Sequence, residues 1–449
     1  MPTALIVLAA GQGTRMNSDL PKVLHKLAGV PLFVHALTAA RTLEADKTVL
    51  IVGHGGEDVK TTAYNYDPDI IVVEQKEQLG TGHAVKQARD ALADFEGDVV
   101  VLYGDTPFVQ AETLGAMAKA RETHDVVVLG FEAADPGRYG RLLMQGDSLE
   151  RIVEFKDTSP DEKKITLCNS GIKMASAKVM FDLLDDVGND NSSGEYYLTD
   201  IVEVANKRGL SATAVTCDEA ETLGINTRAE LAGAEAAFQA RARVEALENG
   251  VTLVAPDTVF FALDTVVGRD VIIEQNVVFG PDVTVESSAT IRAFSHLEGC
   301  HIGARASVGP FTRLRPGAEL ANEAHVGNFV EIKNSEIGEG TKIGHLTYIG
   351  DTTIGSDTNI GAGTITCNYD GVMKHRTVIG DRAFIGSATM LIAPVNLGDE
   401  AMTASGSVIT KDVDEGAMAI GRSRQVNKLG LARKLFEKLK SAKLKRDKG

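Results

Sequence analysis

Apolar residues in the first half of the chain come in short dense runs: ALIVLA at 4–9, TVLIVG at 48–53, DVVVLY at 98–103 and DVVVLGF at 125–131. Between them lie polar or Ala-rich stretches of helical length. Strands alternating with helices predict a mostly parallel sheet covered on both faces, an α/β unit whose ligands sit beyond the carboxyl ends of its strands. A different pattern follows at 227–250, TRAELAGAEAAFQARARVEALENG, rich in Ala, Glu and Arg. Thr227 and Glu230 have the spacing of a capping box, and Asn249-Gly250 supplies a stop, so one helix of roughly 33 Å is expected. A rigid spacer and an ordinary packed helix both fit it.

Beyond residue 250 the rhythm becomes six. Val267, Ile273, Phe279, Val285, Ile291 and Leu297 open the series, and after a one-residue slip it continues through Ile302, Val308, Leu314, Leu320, Val326 and Ile332. It restarts at Ile337, Ile343 and Ile349, again at Ile354 and Ile360, and closes with Ile379, Ile385, Leu391 and Leu397. Neither a helix nor a strand has this period. A solenoid with one inward side chain per short flat face does, each coil burying its aliphatic residue only against the coils above and below. TCNYDGVMKHR at 366–376 breaks the series, and an insertion in so regular a repeat is a candidate functional loop.

Composition narrows the class. The 449 residues are 43% hydrophobic and 24% charged, a globular balance in a chain longer than one core usually supports. The net charge of −16 argues against general affinity for nucleic acid or membranes. It is unevenly spread: residues 422–449 carry eleven Lys/Arg against two Asp/Glu. A solvated amphipathic tail and a phosphate-binding tail are both open. Four cysteines without CxxC spacing suit a reducing cytoplasm, and no window approaches the roughly 18 apolar residues of a membrane span.

Chemistry gathers at two places. LAAGQGTRM at 8–16 brings unhindered backbone amides to a strand end, a phosphate-cradling device, with Arg15 and Lys22 adding the positive charge a triphosphate needs. It is neither a Walker A loop nor a complete dinucleotide fingerprint, since Met16 stands where a third glycine belongs. LYGD sets Asp105 past a strand, and GIN offers Asn226 as a second oxygen, enough for magnesium that completes its shell with phosphate and water. In the solenoid, Arg315 and Lys333 are 18 residues apart, one coil, and so form a column of two cations suited to a phosphate. His345 and Tyr348 lie nearby, and an imidazole neutral near pH 7 can accept a proton from an attacking amine. Taken singly, a glycine-rich turn, a capping Asp or a lone His is commonly structural, and six-residue repeats often serve only to build trimers.

LAAGQGTRM, PKVLH, QLGTGHA, YGD, RYGR, CNSG and EYYLTD together resemble the bifunctional bacterial UDP-N-acetylglucosamine pyrophosphorylase and glucosamine-1-phosphate N-acetyltransferase family, over nearly the whole chain. The resemblance implies a Rossmann-like nucleotidyltransferase domain at 1–226, a linker helix at 227–250, and at 251–449 a left-handed parallel β-helix with the basic tail. It implies UTP and acetyl-CoA as co-substrates, Mg2+ held by Asp105 and Asn226, and catalytic roles for Arg15 and Lys22. Leu8, Ala9, Ala10, Gly11 and Lys22 would contact the nucleotide, Gln75, Gly80 and Thr81 the uracil, and Tyr103, Gly104 and Asp105 the metal and nucleotide. Gly140, Glu154 and Asn169 would hold the N-acetylated sugar. In the solenoid His345 would be the general base, oriented by Glu331. Arg315 and Lys333 would bind the sugar phosphate, Tyr348 and Asn359 the sugar. Ala362, Asn368, Tyr369, Ser387, Ser405 and Arg422 would contact acetyl-CoA, and Lys374 would reach a neighbouring subunit's site in a homotrimer. The implied product is UDP-N-acetylglucosamine for the cell envelope, made in the cytoplasm from small-molecule substrates, with no nucleic acid or stable membrane partner. Two rivals are a non-catalytic trimerisation solenoid and a regulatory protein without turnover. GHLTYIGD and NIGAGTITCNYDG speak against the first, and Arg15, Lys22, Asp105 and Asn226 against the second.

Overall fold

The computed structural model describes residues 2–11, 13–53 and 56–447. The chain divides into two compact units, Met1–Ala242 and Arg243–Gly449.

In the first, seven strands form one path, in the order Ala212–Cys217, Val126–Glu132, Leu167–Ser176, Asp98–Tyr103, Thr3–Ala9, Lys47–Val52 and Ile71–Glu74. The apolar runs read from the sequence are its interior. Ala4, Ile6, Val49, Ile51, Val99 and Val101 are fully buried, each large aliphatic contributing about 1.5–3 kcal/mol. The sheet departs from all-parallel at Leu167–Ser176, which runs antiparallel to both its neighbours. A hairpin, Arg141–Gln145 with Ser148–Val153, intervenes before it and reverses the chain. Thr3–Ala9 pairs in parallel with Asp98–Tyr103, Leu8 opposite Tyr103, and the Gly104 N–H donates to the Leu8 carbonyl at 3.0 Å. The two loops that follow these strands therefore leave the sheet side by side.

The helix runs Arg228–Glu248 and starts on the expected capping box: Thr227 N–H donates to Glu230 Oε2 at 2.9 Å, and Glu230 N–H to Thr227 Oγ1 at 3.2 Å. Its early turns are a packed element of the first unit. Glu235 accepts from the Ala28 N–H at 2.9 Å, and Phe238 meets His35 edge-on.

The second unit is built of two- to four-residue strands in three parallel sheets. Each six-residue series member stacks on its counterpart one coil away: Ile273 on Ile291, Val308, Val326, Ile343, Ile360 and Ile385 along one face. Leu297, Leu314, Ile332 and Ile349 line a second, and Ile302, Leu320, Ile337, Ile354 and Ile379 the third. At the corners the backbone turns through left-handed residues, including Phe294, Phe311, Phe329 and Leu346 at φ 60, 56, 57 and 53°. Stacked parallel coils with such corners are consistent with the left-handed β-helix that the resemblance implies. A side chain in that region costs about 1–2 kcal/mol, and the aliphatic stack beneath offsets it.

An alanine at Ile343, 0% exposed, should lower stability by about 2–5 kcal/mol, whereas Lys342→Ala on the outward neighbour should change it by no more than about 0.5 kcal/mol. Urea unfolding midpoints at matched protein concentration check the contrast.

Candidate active sites

The paired loops of the first unit open onto a cavity of about 350 Å³. Ten of the expected residues line it: Leu8, Ala9, Ala10 and Gly11 from the first loop, Lys22, Gln75, Gly80 and Thr81, then Tyr103 and Asp105. Gly13, at φ +60°, lets the loop pass over Lys22, since a Cβ there would stand 2.6 Å from the Lys22 Cβ. Lys22 is the hub. Its ammonium pairs with Asp105 Oδ2 and donates to Asn226 Oδ1 at 3.2 Å, while Arg15 Nη2 donates to the same oxygen at 2.9 Å. The Lys22 and Asp105 side chains are only 12% and 18% exposed, so the pair works in a reduced dielectric.

Two hard oxygens, one carboxylate and one amide, thus converge on a single cation. That donor set fits magnesium, which needs only one or two protein oxygens. Among the described residues no group of three or more His, Cys, Asp or Glu is arranged around a metal position.

Gly140, Glu154 and Asn169 gather behind Tyr103, outside the residues lining this cavity. A Cβ on Gly140 would lie 3.5 Å from the Asn169 Cβ and 3.6 Å from Glu154 Oε2, and the Asn169 N–H donates to the Gly140 carbonyl at 2.9 Å. Burial, with Glu154 and Asp105 nearby, pushes the Tyr103 hydroxyl above its usual range, so it stays a neutral donor. Gly104 is buried and carries the loop pairing instead of facing the cavity. Four lining residues were given no role in the sequence: Val23, Ala84, Gln78, whose Nε2 donates to the Ala10 carbonyl at 2.8 Å, and Glu195, which opens the quoted EYYLTD.

In the second unit one corner carries His345 and four of the six residues expected at acetyl-CoA. Asn328, His345, Ala362, Ser387 and Ser405 each immediately precede a left-handed corner residue, Phe329, Leu346, Gly363, Ala388 and Gly406. The corner N–H groups link them coil to coil: Leu346 to the Asn328 carbonyl at 3.1 Å, Gly363 to His345 at 3.2 Å, Ala388 to Ala362 at 2.7 Å and Gly406 to Ser387 at 2.8 Å. Arg422 closes the column, its Cδ 3.9 Å from where a Gly406 Cβ would stand.

The opposite edge of the adjoining sheet holds the cations. Arg315 and Lys333 fall on successive coils, as their spacing predicts. Tyr348 pairs in register with Glu331 on the face between the two edges, and Asn359 stands on the neighbouring sheet above Lys342.

One expectation changes. Glu331 does not orient His345: it accepts from Arg315 Nη1 at 2.8 Å, which steadies the guanidinium. The partner of His345 Nδ1 is Asn328 Oδ1, directly opposite in register. An acceptor there places the ring proton on Nδ1 and leaves Nε2 as the free base. The Lys374 ammonium lies against that of Lys333 and, with slight burial and Arg315, holds Lys333 below the usual lysine range. Three cations so close invite a polyanion.

Asn368 and Tyr369 are not brought to the corner column. Asn368 is buried, its amide donating to Asp351 Oδ2, and Tyr369 lies in the inserted loop with its hydroxyl on the Gly371 carbonyl at 2.6 Å. Burial works to raise the Asp351 pKa and is outweighed by the Asn334 and Asn368 amides and by Lys374 and Lys333, which hold the carboxyl below its ordinary range. Its charge anchors the cation edge.

Residues 5–163 match the family model of the MobA-like NTP transferase domain, and 376–411 that of the hexapeptide repeat of succinyl-transferase. A bifunctional protein GlmU from Ruegeria sp. (strain TM1040) is 66% identical over 449 residues, the whole of both chains. Another from Roseobacter denitrificans (strain ATCC 33942 / OCh 114) is 62% identical over the same full length. The chain belongs to the bifunctional GlmU family. It is a transferase with uridylyltransferase and acetyltransferase activities in one polypeptide. No helix among the described residues is long and apolar enough to cross a membrane.

The Asn328 contact makes a prediction for this GlmU-family chain. Asn328→Ala frees the His345 ring to rotate and exchange tautomers. Acetyl transfer should fall about 10- to 100-fold in kcat, the effect expected when a partner that fixes a histidine is removed, with uridylyl transfer unchanged. Parallel assays of thiol and pyrophosphate release measure both.

Proposed function

We propose that the chain acetylates glucosamine-1-phosphate with acetyl-CoA in its second unit. Its first unit then transfers UMP from UTP to the resulting N-acetylglucosamine-1-phosphate, giving UDP-N-acetylglucosamine and pyrophosphate for the cell envelope. Residues 1–226 carry uridylyl transfer and 251–449 acetylation, on either side of the helix. The observation that carries the reading is the convergence of Arg15, Lys22, Asp105 and Asn226 at one cavity, together with the column joining His345 to Ala362, Ser387 and Ser405.

In the first unit the Leu8–Gly11 amides cradle the nucleotide, Gln75, Gly80 and Thr81 face the uracil, and Gly140, Glu154 and Asn169 hold the sugar. A sugar-phosphate oxygen attacks the α-phosphorus in line, the bond to the β-phosphate breaks, and pyrophosphate leaves. Arg15 and Lys22 offset the negative charge that develops, and alignment of the two phosphates supplies much of the rate. Magnesium bound at Asp105 and Asn226 would neutralise part of the triphosphate charge.

In the second unit Arg315, Lys333 and Lys374 hold the sugar phosphate at one edge of a sheet face. The sugar lies across Tyr348 and Asn359 with its amine toward His345. The distance across that face is roughly 10 Å, three residues at about 3.3 Å each. The amine attacks the thioester carbonyl, His345 Nε2 takes the amine proton and passes it to the sulfur as the carbon–sulfur bond breaks, and coenzyme A leaves as the thiol. Ala362, Ser387, Ser405 and Arg422 position the cofactor on the same column, with Asn368 and Tyr369 contributing from the inserted loop.

A homotrimer is part of this reading. Phe294, Phe311 and Phe329 stack at centroid distances of 4.8 and 5.2 Å and, with Leu346, are 46–62% exposed. Burying such a column against another copy beside the histidine supports sites completed between chains, in a cytoplasmic enzyme.

Asp105→Ala should reduce uridylyl transfer at least about 100-fold and spare acetylation, while His345→Ala should depress acetylation about 10²- to 10⁴-fold and spare uridylylation. EDTA should reproduce the first pattern without mutation. Equal loss of both activities in either variant would count against separate sites.

A further inference from the structure

Strand Leu167–Ser176 carries a lysine that neither activity explains. Lys173 is 0% exposed, between Ile172 and Met174, which are also buried. Its Nζ donates to the Gly171 carbonyl at 3.1 Å, where pairing with Val126–Glu132 slips between Asn169 and Lys173. The slip is held on its other sides as well. Gly171 N–H donates to Asn169 Oδ1 at 3.0 Å, Ser170 Oγ donates to the Leu129 carbonyl at 2.7 Å, and Ile172 N–H to Ser170 Oγ at 3.2 Å. Gly171 itself sits at φ +96° with the Tyr103 ring against it, 2.6 Å from where a Cβ would stand. One short bulge thus sets both the Asn169 side chain and the Tyr103 ring.

A wholly buried ammonium must have counter-charges. The carboxylates acting on Lys173 are Glu154 and Asp200. Glu154 is further fixed by Thr199, whose Oγ1 donates to Oε1 at 3.2 Å. We infer that Lys173 is a positioning residue for the sugar half of the uridylyl-transfer site, clamping the Asn169–Gly171 bulge and supplying a counter-charge to Glu154, an acceptor for the sugar. The inference rests on the reading that Glu154 and Asn169 hold the sugar.

Titration supports the geometry. Burial pushes Lys173 down to about 8, against the pull of Glu154 and Asp200. Burial, then Glu203, Glu154 and Asp157, push Asp200 up to about 6, with Lys173 opposing. Glu154 and Asp200 are the charged groups that act on the lysine, and Glu203 and Asp157 act on it only through Asp200. As pH rises through the Lys173 value the ammonium loses its proton. The bulge carbonyl then keeps only a neutral donor, and Glu154 loses a counter-charge.

The test uses the full chain and measures both activities. Lys173→Met should raise KM for N-acetylglucosamine-1-phosphate about tenfold or more, the scale of one charge-assisted hydrogen bond, and leave KM for UTP and the acetylation rate within about twofold. In the unaltered chain, KM for the sugar phosphate should climb as pH goes from about 7 to about 9, bracketing the lysine, and that climb should vanish in Lys173→Met. An unchanged sugar KM in the variant, or equal rises in both KM values, overturns the inference. Should Lys173→Met not fold, the unaltered chain's profile decides alone, and a flat sugar KM across that range overturns it. Glu154→Gln and Asn169→Ala separate the two layers: if both bind the sugar phosphate normally, the sugar-site reading has failed. If both lose it while Lys173→Met does not, only the lysine's role has.

Discussion

Everything in the second unit follows from an aliphatic side chain that has nothing to pack against inside its own coil. Ile343 is buried only because Val326 lies beneath it and Ile360 above, so coils must stack in register for any of them to be stable. That constraint fixes the corners too. Residues 17 to 25 positions apart become vertical neighbours, and a polar side chain placed just before each left-handed turn joins a continuous outward column. The apolar prism is the ruler against which His345 is set beside Ala362 and Ser387.

The first unit solves the opposite problem, gathering positive charge in a chain of net charge −16. Net charge governs long-range steering, whereas a bound phosphate feels the few groups within a Debye length. Parallel strands that end together place Gly11 and Asp105 side by side, and the connection that follows Thr3–Ala9 brings both Arg15 and Lys22 over the opening. Asp105 and Asn226 satisfy the lysine and arginine. Those carbonyl and carboxylate oxygens are the two proposed to hold a divalent ion, which would leave both cations to the polyphosphate.

The six-residue series was legible because its period belongs to no helix or strand, and the capping box because Thr227 and Glu230 are local. Long-range placements were less so. Arg315 and Lys333 were paired correctly because that coil is 18 residues long, but Asn328 lies 17 before His345 and Ser387 lies 25 after Ala362, across the insertion. A fixed period cannot find such partners; only stacking can. Glu331, three residues from Asn328, pointed to the right coil and the wrong edge of its sheet. The antiparallel strand was equally hidden, because a buried strand reads the same in either direction and the hairpin before it carries the reversal.

Lys173 shows a different kind of silence. In GIKMAS a lysine between apolar residues reads as the outward position of an alternating strand. That inference requires one face of the sheet to meet water. Leu167–Ser176 lies between Val126–Glu132 and Asp98–Tyr103 with both neighbouring residues buried, so no outward position exists. The charge must instead be met inside, and the groups able to meet it, Glu154 and Asp200, come from distant segments. A charge that burial makes this costly persists only where its surroundings hold it. Here they include Glu154 and the Asn169–Gly171 bulge, the groups proposed to hold the sugar.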